Sequence, residues 1–376
     1  MKRFRQALLI ASVVVVTCFA GLLTAGLTSD ESLYQALGNL AEVVHLVESE
    51  YVDELDQEVL ALSLDAGILE SLDPWAAVIA ADEAAAYEEL LTGPPAYGLG
   101  LSLRLGSAAV RFAFPGSPAD DAGLETWEVI EKIDEVYTRG RPLWQIAFEL
   151  SRREAAGDIV SLTVMDRQVD ERREVELIPR DWQPGHATLD EVEEIRVLTI
   201  TSLTRDASAV IGELAQPEAP DVLDLRGLVW GHEEEAVAVA DLFVDEGTIA
   251  MWKGREAGTE TISATDGSAG APPVVLIDHD TEGVGEILAA ALKRAGATLV
   301  GTTTMGHAPH MRLVRRGDLN LWIPVGRWLG PDDQPIRQEG VGPDEEVDAA
   351  EDEDADPVLD RAIELLTEEE EPAEAA

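Results

Sequence analysis

The apolar residues of this chain change period along its length, and each change marks an expected element. Over 31–92 the spacing is helical, with Leu33, Leu37, Leu40, Val44 and Val47 on one stripe. Tyr51, Val52 and Asp53 interrupt it. A second helix is expected over 58–72, ended by Asp73 and Pro74, and a third over 81–91, closed by Gly93, Pro94 and Pro95. Over 96–181 the pattern shortens to strands at 110–114, 129–133, 160–165 and 175–178, with a helix at 143–153. Over 182–350 strands and helices alternate, which predicts an α/β core with crossover helices. Strands are expected there at 195–200, 221–226, 248–252, 274–277, 298–300, 311–314 and 319–324, with helices at 208–214 and 233–243. A further helix carries Ile287, Leu288, Ala291 and Leu292 and stops at Gly296. The polar turn 278–282 lies at the carboxyl end of the strand 274–277, where α/β proteins gather their chemistry.

Charge and the chain ends change this picture in part. Asp and Glu number 74 against 27 Lys and Arg, a net charge of −47. Phosphate binding needs clustered basic residues, so nucleic acid is excluded as a partner class. Such acidity reads as a solubility or salt-adaptation trait rather than as a site. At the N-terminus, Lys2, Arg3 and Arg5 precede the uncharged run 6–29, which is almost wholly apolar over 8–19. This is the pattern of a signal peptide or an uncleaved signal-anchor helix. It predicts a chain anchored in the inner (plasma) membrane, its bulk exported to the periplasmic or extracytoplasmic side. The only cysteine, Cys18, lies in that segment, so no disulfide is expected. From Glu345 the chain becomes an acidic tail with one helix, 358–366, expected to dock by Val358, Leu359, Ile363 and Leu366. The stretch 368–376 is expected to be disordered.

Two motifs in the strand-rich region carry a resemblance. Gly98, Leu99, Gly100 and Leu101 open it, and Gly116, Ser117, Pro118 and Ala119, then Ala122, Gly123 and Leu124, follow. In this order they resemble a PDZ domain of the bacterial protease-associated type. Such a glycine loop frees backbone N–H groups for a terminal carboxylate, and the strand after it can pair with an extended peptide. One departure is Trp127, where the family usually has glycine. Over 31–366 the chain is similar to the C-terminal processing (tail-specific) peptidase family of serine–lysine peptidases. The similarity rests on Tyr51, Val52 and Asp53, on Leu72, Asp73 and Pro74, on the two loop motifs, and on Leu223, Asp224, Leu225 and Arg226. It extends to 234–243, Glu286, Ile287, 301–306 and 340–344.

That resemblance implies an α+β, α/β multidomain fold: a signal or anchor segment over 1–29, helices over 30–95, a PDZ domain over 96–181, an α/β core over 182–350 and a tail over 351–376. It also implies a site with its chemistry replaced. The family's nucleophilic serine falls on Gly283, its general-base lysine on His307, and a glutamine on Met311. Its oxyanion-stabilising pair falls on Trp230 and Gly231, of which only Gly231 keeps the family residue. Acyl transfer needs a hydroxyl or thiol within reach of a base, and glycine offers neither. The expected function is therefore a catalytically inactive pseudopeptidase that binds protein C-termini through Gly98, Leu99, Gly100 and Leu101, or binds an active peptidase. The alternative is an active endopeptidase using Thr281 as nucleophile with His279 or His307 as base. His232, His279, His307 and His310, with Asp280 and Glu282 nearby, are candidate metal ligands. Their spacing matches no tight metal motif, so no cofactor is expected. Homo-oligomerisation through the core stays open.

Overall fold

The structure, a computed structural model, describes residues 34–52, 67–69, 72–80, 83–166, 171–216, 219–265, 272–317, 319–337, 339–350 and 355–374. The chain divides into two compact units, Met1–Asp65 and Ala66–Ala376. In the first, the expected helix is present as α1, residues 34–50, with Leu37, Val43 and Leu46 exposed on it. Segment 1–29, Cys18 and most of the helix expected over 58–72 lie outside the described residues. Among the described residues no helix is long and apolar enough to cross a membrane. This corrects the expectation of a membrane-anchored, exported chain, which rested entirely on segment 1–29.

The second unit begins with β1 (Ala77–Ile79) and α2 (Ala84–Thr92). β1 falls where only helices were expected. Its three residues are held by antiparallel pairing to Trp322, Leu321 and Asn320, a long-range partner that no local pattern announces.

A first sheet follows in the order β2 (Leu99–Arg104), β3 (Ser107–Ala113), β4 (Val129–Ile133), β6 (Val160–Asp166), β7 (Glu171–Leu177), with β5 (Val136–Tyr137) paired to β4. β2 is an edge strand. On β6 the buried residues Val160, Leu162 and Val164 alternate with half-exposed ones, the period of a strand covered on one face. Two helices belong to this region. α3 (Pro118–Asp121) starts with the Ser117 hydroxyl accepting the Asp120 N–H and with proline in its first turn. α4 (Leu143–Ala156) buries Leu143, Ile146 and Leu150 at helical spacing and ends at Gly157, which takes φ +75°.

The α/β core holds the second sheet, ordered β17 (Glu345–Glu346), β14 (Leu299–Gly301), β13 (Val274–Ile277), β10 (Val222–Asp224), β9 (Ile195–Ile200), β8 (Ala187–Val192). All neighbours are parallel except β8 with β9. Both faces are covered, which is why the central strands read as unbroken apolar runs. One face packs on α5 (Ala207–Leu214), α6 (Glu233–Asp241) and α7 (Val284–Arg294) through Leu223, Val275 and Ile277. The alternate residues Val222, Val274 and Leu276 meet Val358 and Ala362 of α8 (Pro357–Glu374). The docking face of α8 is thus Val358, Leu359, Ala362, Leu365 and Leu366 rather than one through Ile363. The helix also runs past its expected end at 366, to Glu374.

A third sheet, ordered β1, β16 (Leu319–Trp328), β11 (Thr248–Gly254), β12 (Gly258–Ser263) with β15 (Pro309–Arg316) on β16, packs beside the core. β8, β12 and β17 were not expected from the sequence. Each is an edge strand, rich in polar residues, and its order comes from a neighbour rather than from its own pattern.

Candidate functional site

The turn after β13 is tied into the fold by its own hydrogen bonds. The Thr281 side chain is fully buried. Its hydroxyl lies 3.0 Å from the Leu225 carbonyl and 2.9 Å from Asp278 Oδ1, and it accepts the Asp278 N–H at 3.1 Å. Asp278 Oδ1 also accepts the Gly227 N–H, so the turn is tied to the loop that leaves β10. The Thr281 carbonyl accepts the Met305 N–H. A hydroxyl bound on all sides inside the fold cannot approach a substrate carbonyl. Thr281, the alternative nucleophile, therefore has its hydroxyl held inside the fold.

Gly283 ends the turn and caps α7, with φ +55° and ψ −106°. An added Cβ would lie 3.9 Å from the nearest atoms, the carbonyl oxygens of His307 and Val229. Space therefore permits a side chain here, and it is the backbone conformation that favours glycine. From N3 of the helix, Glu286 reaches back to the Gly283 N–H at 3.2 Å, the acidic half of a capping box. The same buried carboxylate accepts Thr304 Oγ1 at 2.5 Å, the Gly306 N–H at 2.6 Å and the His307 N–H at 2.8 Å. Burial pushes its pKa above the ordinary value, against the lowering effect of those four bonds. Glu286 thereby fixes the 304–307 loop over the start of α7.

His307 sits between two carboxylates. Its Nδ1 lies 2.9 Å from Glu282 Oε1 and its Nε2 3.0 Å from Asp73 Oδ2. With an acceptor at each nitrogen, the form that satisfies both is the imidazolium. Burial acts to lower the pKa, but the bonds and charges of Asp73 and Glu282 outweigh it and push His307 up to about 10. Glu282 also accepts Arg111 Nε at 2.7 Å. Although burial opposes it, the pull of His307 and Arg111 holds the Glu282 carboxyl below its usual range. Arg111, on β3, completes the chain through Nη1 to Asp280 Oδ1 and Nη2 to the Asp280 carbonyl, both at 2.9 Å, with its guanidinium 5.0 Å from the Trp127 ring centre. The series Asp73, His307, Glu282, Arg111, Asp280 alternates in sign.

Residues 194–347 match the family model described as peptidase family S41. The chain is 26% identical over 335 residues to a carboxy-terminal-processing protease of Bartonella bacilliformis, covering 84% of this chain and 76% of that protein. It is 32% identical over 267 residues to a carboxyl-terminal-processing protease of Picosynechococcus, covering 66% and 64%. Residues 194–347 of the chain form a peptidase family S41 domain. Among solved structures, a photosystem II D1 C-terminal processing protease shares its fold, with TM-score 0.64 at 20% identity over 81% of this chain and 86% of that one.

Against the family pattern, the remaining expected site residues divide. Gly231 is needed for close approach: a Cβ there would lie 2.4 Å from the Leu203 carbonyl oxygen. The Trp230 carbonyl accepts the Leu203 N–H, and the His232 N–H donates to the Leu203 carbonyl. The Trp230 ring does not crowd the turn. It lies 6.0 Å from the Phe112 ring and lines a small apolar cavity with Leu99, Leu101 and Leu150. Met311 is half-buried on β15, opposite Pro324.

The histidines do not converge. His310 pairs with Glu233 at 2.5 Å and stacks on Trp252, with ring centres 4.3 Å apart. His232 precedes α6, and His279 lies in the turn. Among the described residues no group of three or more His, Cys, Asp or Glu is arranged to hold a metal ion. A larger cavity of about 370 Å³ opens beside Asp224, Arg226, Asp278 and Thr302. None of the expected site residues lines it.

The loop expected to offer free N–H groups is closed. Gly98, Leu99, Gly100 and Leu101 are all buried. The Gly98 N–H donates to Pro95 O and the Leu99 N–H to Ala96 O. A Cβ at Gly98 would meet Ser117 Cβ at 2.2 Å, and one at Gly100 the Phe112 ring at 2.2 Å, so packing against these neighbours is what requires glycine. Sequence reasoning missed Asp73 and Glu282 as partners of His307, and Arg111 as the partner of Glu282. The one visible signal was an arginine inside the apolar strand 108–114, where an isolated charge implies a buried counter-ion.

Proposed function

We propose that this S41-domain chain is a non-hydrolytic polypeptide-binding protein, whose PDZ domain over 96–181 recognises protein C-termini. The observation that carries the loss of hydrolysis is His307. A general base must be neutral when it takes a proton, and here Asp73 and Glu282 favour the charged imidazolium. Gly283 supplies no nucleophile in the adjoining turn, and the Thr281 hydroxyl is bound inside it. Recognition is supported by β2, an edge strand able to extend its sheet with a peptide, and by the apolar faces of Leu99 and Leu101 turned towards α4.

The names of the relatives describe processing of C-termini, and this chain spans 64–76% of their length. Recognition without cutting keeps the binding half of that activity. Two measurements test the reading. Purified protein incubated with a disordered substrate should give no fragments. Calorimetry with a short unstructured peptide should give binding that disappears when its C-terminus is amidated. Fragments whose formation stops in a His307→Ala variant would defeat the first half, and indifference to amidation the second.

A further inference from the structure

The groove between β2 and α4 is bordered by residues from outside both elements. Leu99 and Leu101 line it on one side and Ala147 and Leu150 on the other, and Trp75, Leu90 and Trp230 line the same cavity, which measures about 30 Å³. That is room for about one water molecule. At the end of the groove, the Tyr97 N–H, next to Gly98 in the glycine loop, donates to Glu154 Oε1 at 2.9 Å. The same oxygen accepts Trp182 Nε1 at 3.2 Å, and the Trp182 ring covers Gly98 at 3.2 Å from where a Cβ would sit. A carboxylate of this chain therefore sits on the loop that would bind the carboxylate of a ligand.

We propose that Glu154 is a built-in stand-in for a terminal carboxylate, and that Glu154 and Trp230 together close the β2–α4 groove until the C-terminus of an extended peptide displaces them. This rests on the reading of the groove as a C-terminus site. Displacement needs no change of fold. The backbone at Trp230 is pinned by its hydrogen bond from Leu203, so the ring clears the groove by rotating about its side-chain bonds. Glu154 lies in the last turn of α4, and releasing it frees the Tyr97 N–H for the incoming carboxylate. Because Leu99, Leu101, Ala147 and Leu150 present only apolar surface, the last side chain of the peptide is apolar. The unpaired edge of β2 takes its backbone.

The test is calorimetry on the full chain with one probe, a short unstructured peptide ending in valine, with a free or an amidated C-terminus. Wild type is compared with Glu154→Ala, with the size-preserving Glu154→Gln, and with Trp230→Ala; thermal unfolding checks that each variant is folded. Removing a charged competitor for the same N–H should tighten binding of the free-acid peptide about tenfold in Glu154→Ala, and by less in Glu154→Gln. Amidation should abolish that gain. Trp230→Ala should also bind more tightly, and its gain should vanish when the terminal valine is replaced by aspartate. If wild type and all variants bind the free acid equally, Glu154 and Trp230 do not guard the groove, while the C-terminus reading survives. If no folded variant binds the peptide, both fall.

Discussion

At the scale of single residues, the surroundings of Gly283 and His307 are set by charge. His307 and the two carboxylates beside it make a definite forecast for titration. Its folded pKa, about 10, lies above the ordinary 6.5, so the stability it contributes is fully present below about 6.5 and is lost as pH rises through 10. Glu282 is shifted the other way. Its contribution is present above its ordinary value of 4.5 and is lost as pH falls through its lower folded pKa. The His307 ring resonances should therefore not move between about pH 6 and pH 8, where an ordinary histidine titrates. A midpoint near neutrality would disprove the clamp.

The same clamp limits what grafted chemistry can do. In a Gly283→Ser, His307→Lys double variant the new ammonium would face Asp73 and Glu282, which favour its charged form. No cleavage of a disordered substrate is expected from it at neutral pH. Robust turnover would show that the two carboxylates do not hold the base position charged.

At the scale of elements, the strand–turn–helix unit around β13 was readable and its connections were not. The run 274–277 and the stop at Gly296 are local signals, and the structure places β13 and α7 there. The turn's bonding could not be read the same way. Arg111 meets Glu282 across 171 positions, and Asp73 meets His307 across 234, so the alternating charges exist only once the fold is formed. Edge strands such as β12, with the sequence GTETIS, carry too little apolar pattern to announce themselves. Gly98 was legible as a loop residue, while Gly100 lies in β2; what the two glycines make room for, Ser117 and Phe112, was not legible.

Glu286 gives this scale its prediction. It joins the first turn of α7 to the 304–307 loop, and truncation would leave the Thr304 hydroxyl and three backbone N–H groups without their acceptor. Glu286→Ala should lower unfolding stability by about 3 kcal/mol or more in chemical denaturation, with Glu286→Gln losing less because it keeps one acceptor oxygen. Equal stability of Glu286→Ala and wild type would mean that water replaces the carboxylate without cost.

At the scale of the molecule, a net charge of −47 on 376 residues sets stability through repulsion that no single contact reveals. The basic residues seen are largely committed to local pairs: Arg226 binds both Asp224 and Asp356, Arg173 binds Glu128, and Arg294 binds Asp333. With 74 acidic residues against 27 basic ones, most carboxylates have no basic residue to balance them. Added salt acts on the two populations unequally. It screens exposed charges at distances beyond the Debye length, about 10 Å at 0.1 M, and weakens buried pairs such as Arg111 with Glu282 much less. The net effect is relief of repulsion in the compact state, so thermal stability should rise with sodium chloride. Most of that rise should come below about 0.5 M, because screening saturates as the Debye length shrinks. Stabilisation by excluded solutes has no such early plateau, so a parallel series in sucrose separates the two causes. A melting temperature that falls with salt would mean that the surface ion pairs outweigh the repulsion. A rise that continues undiminished in both series would assign the effect to solute exclusion instead of charge.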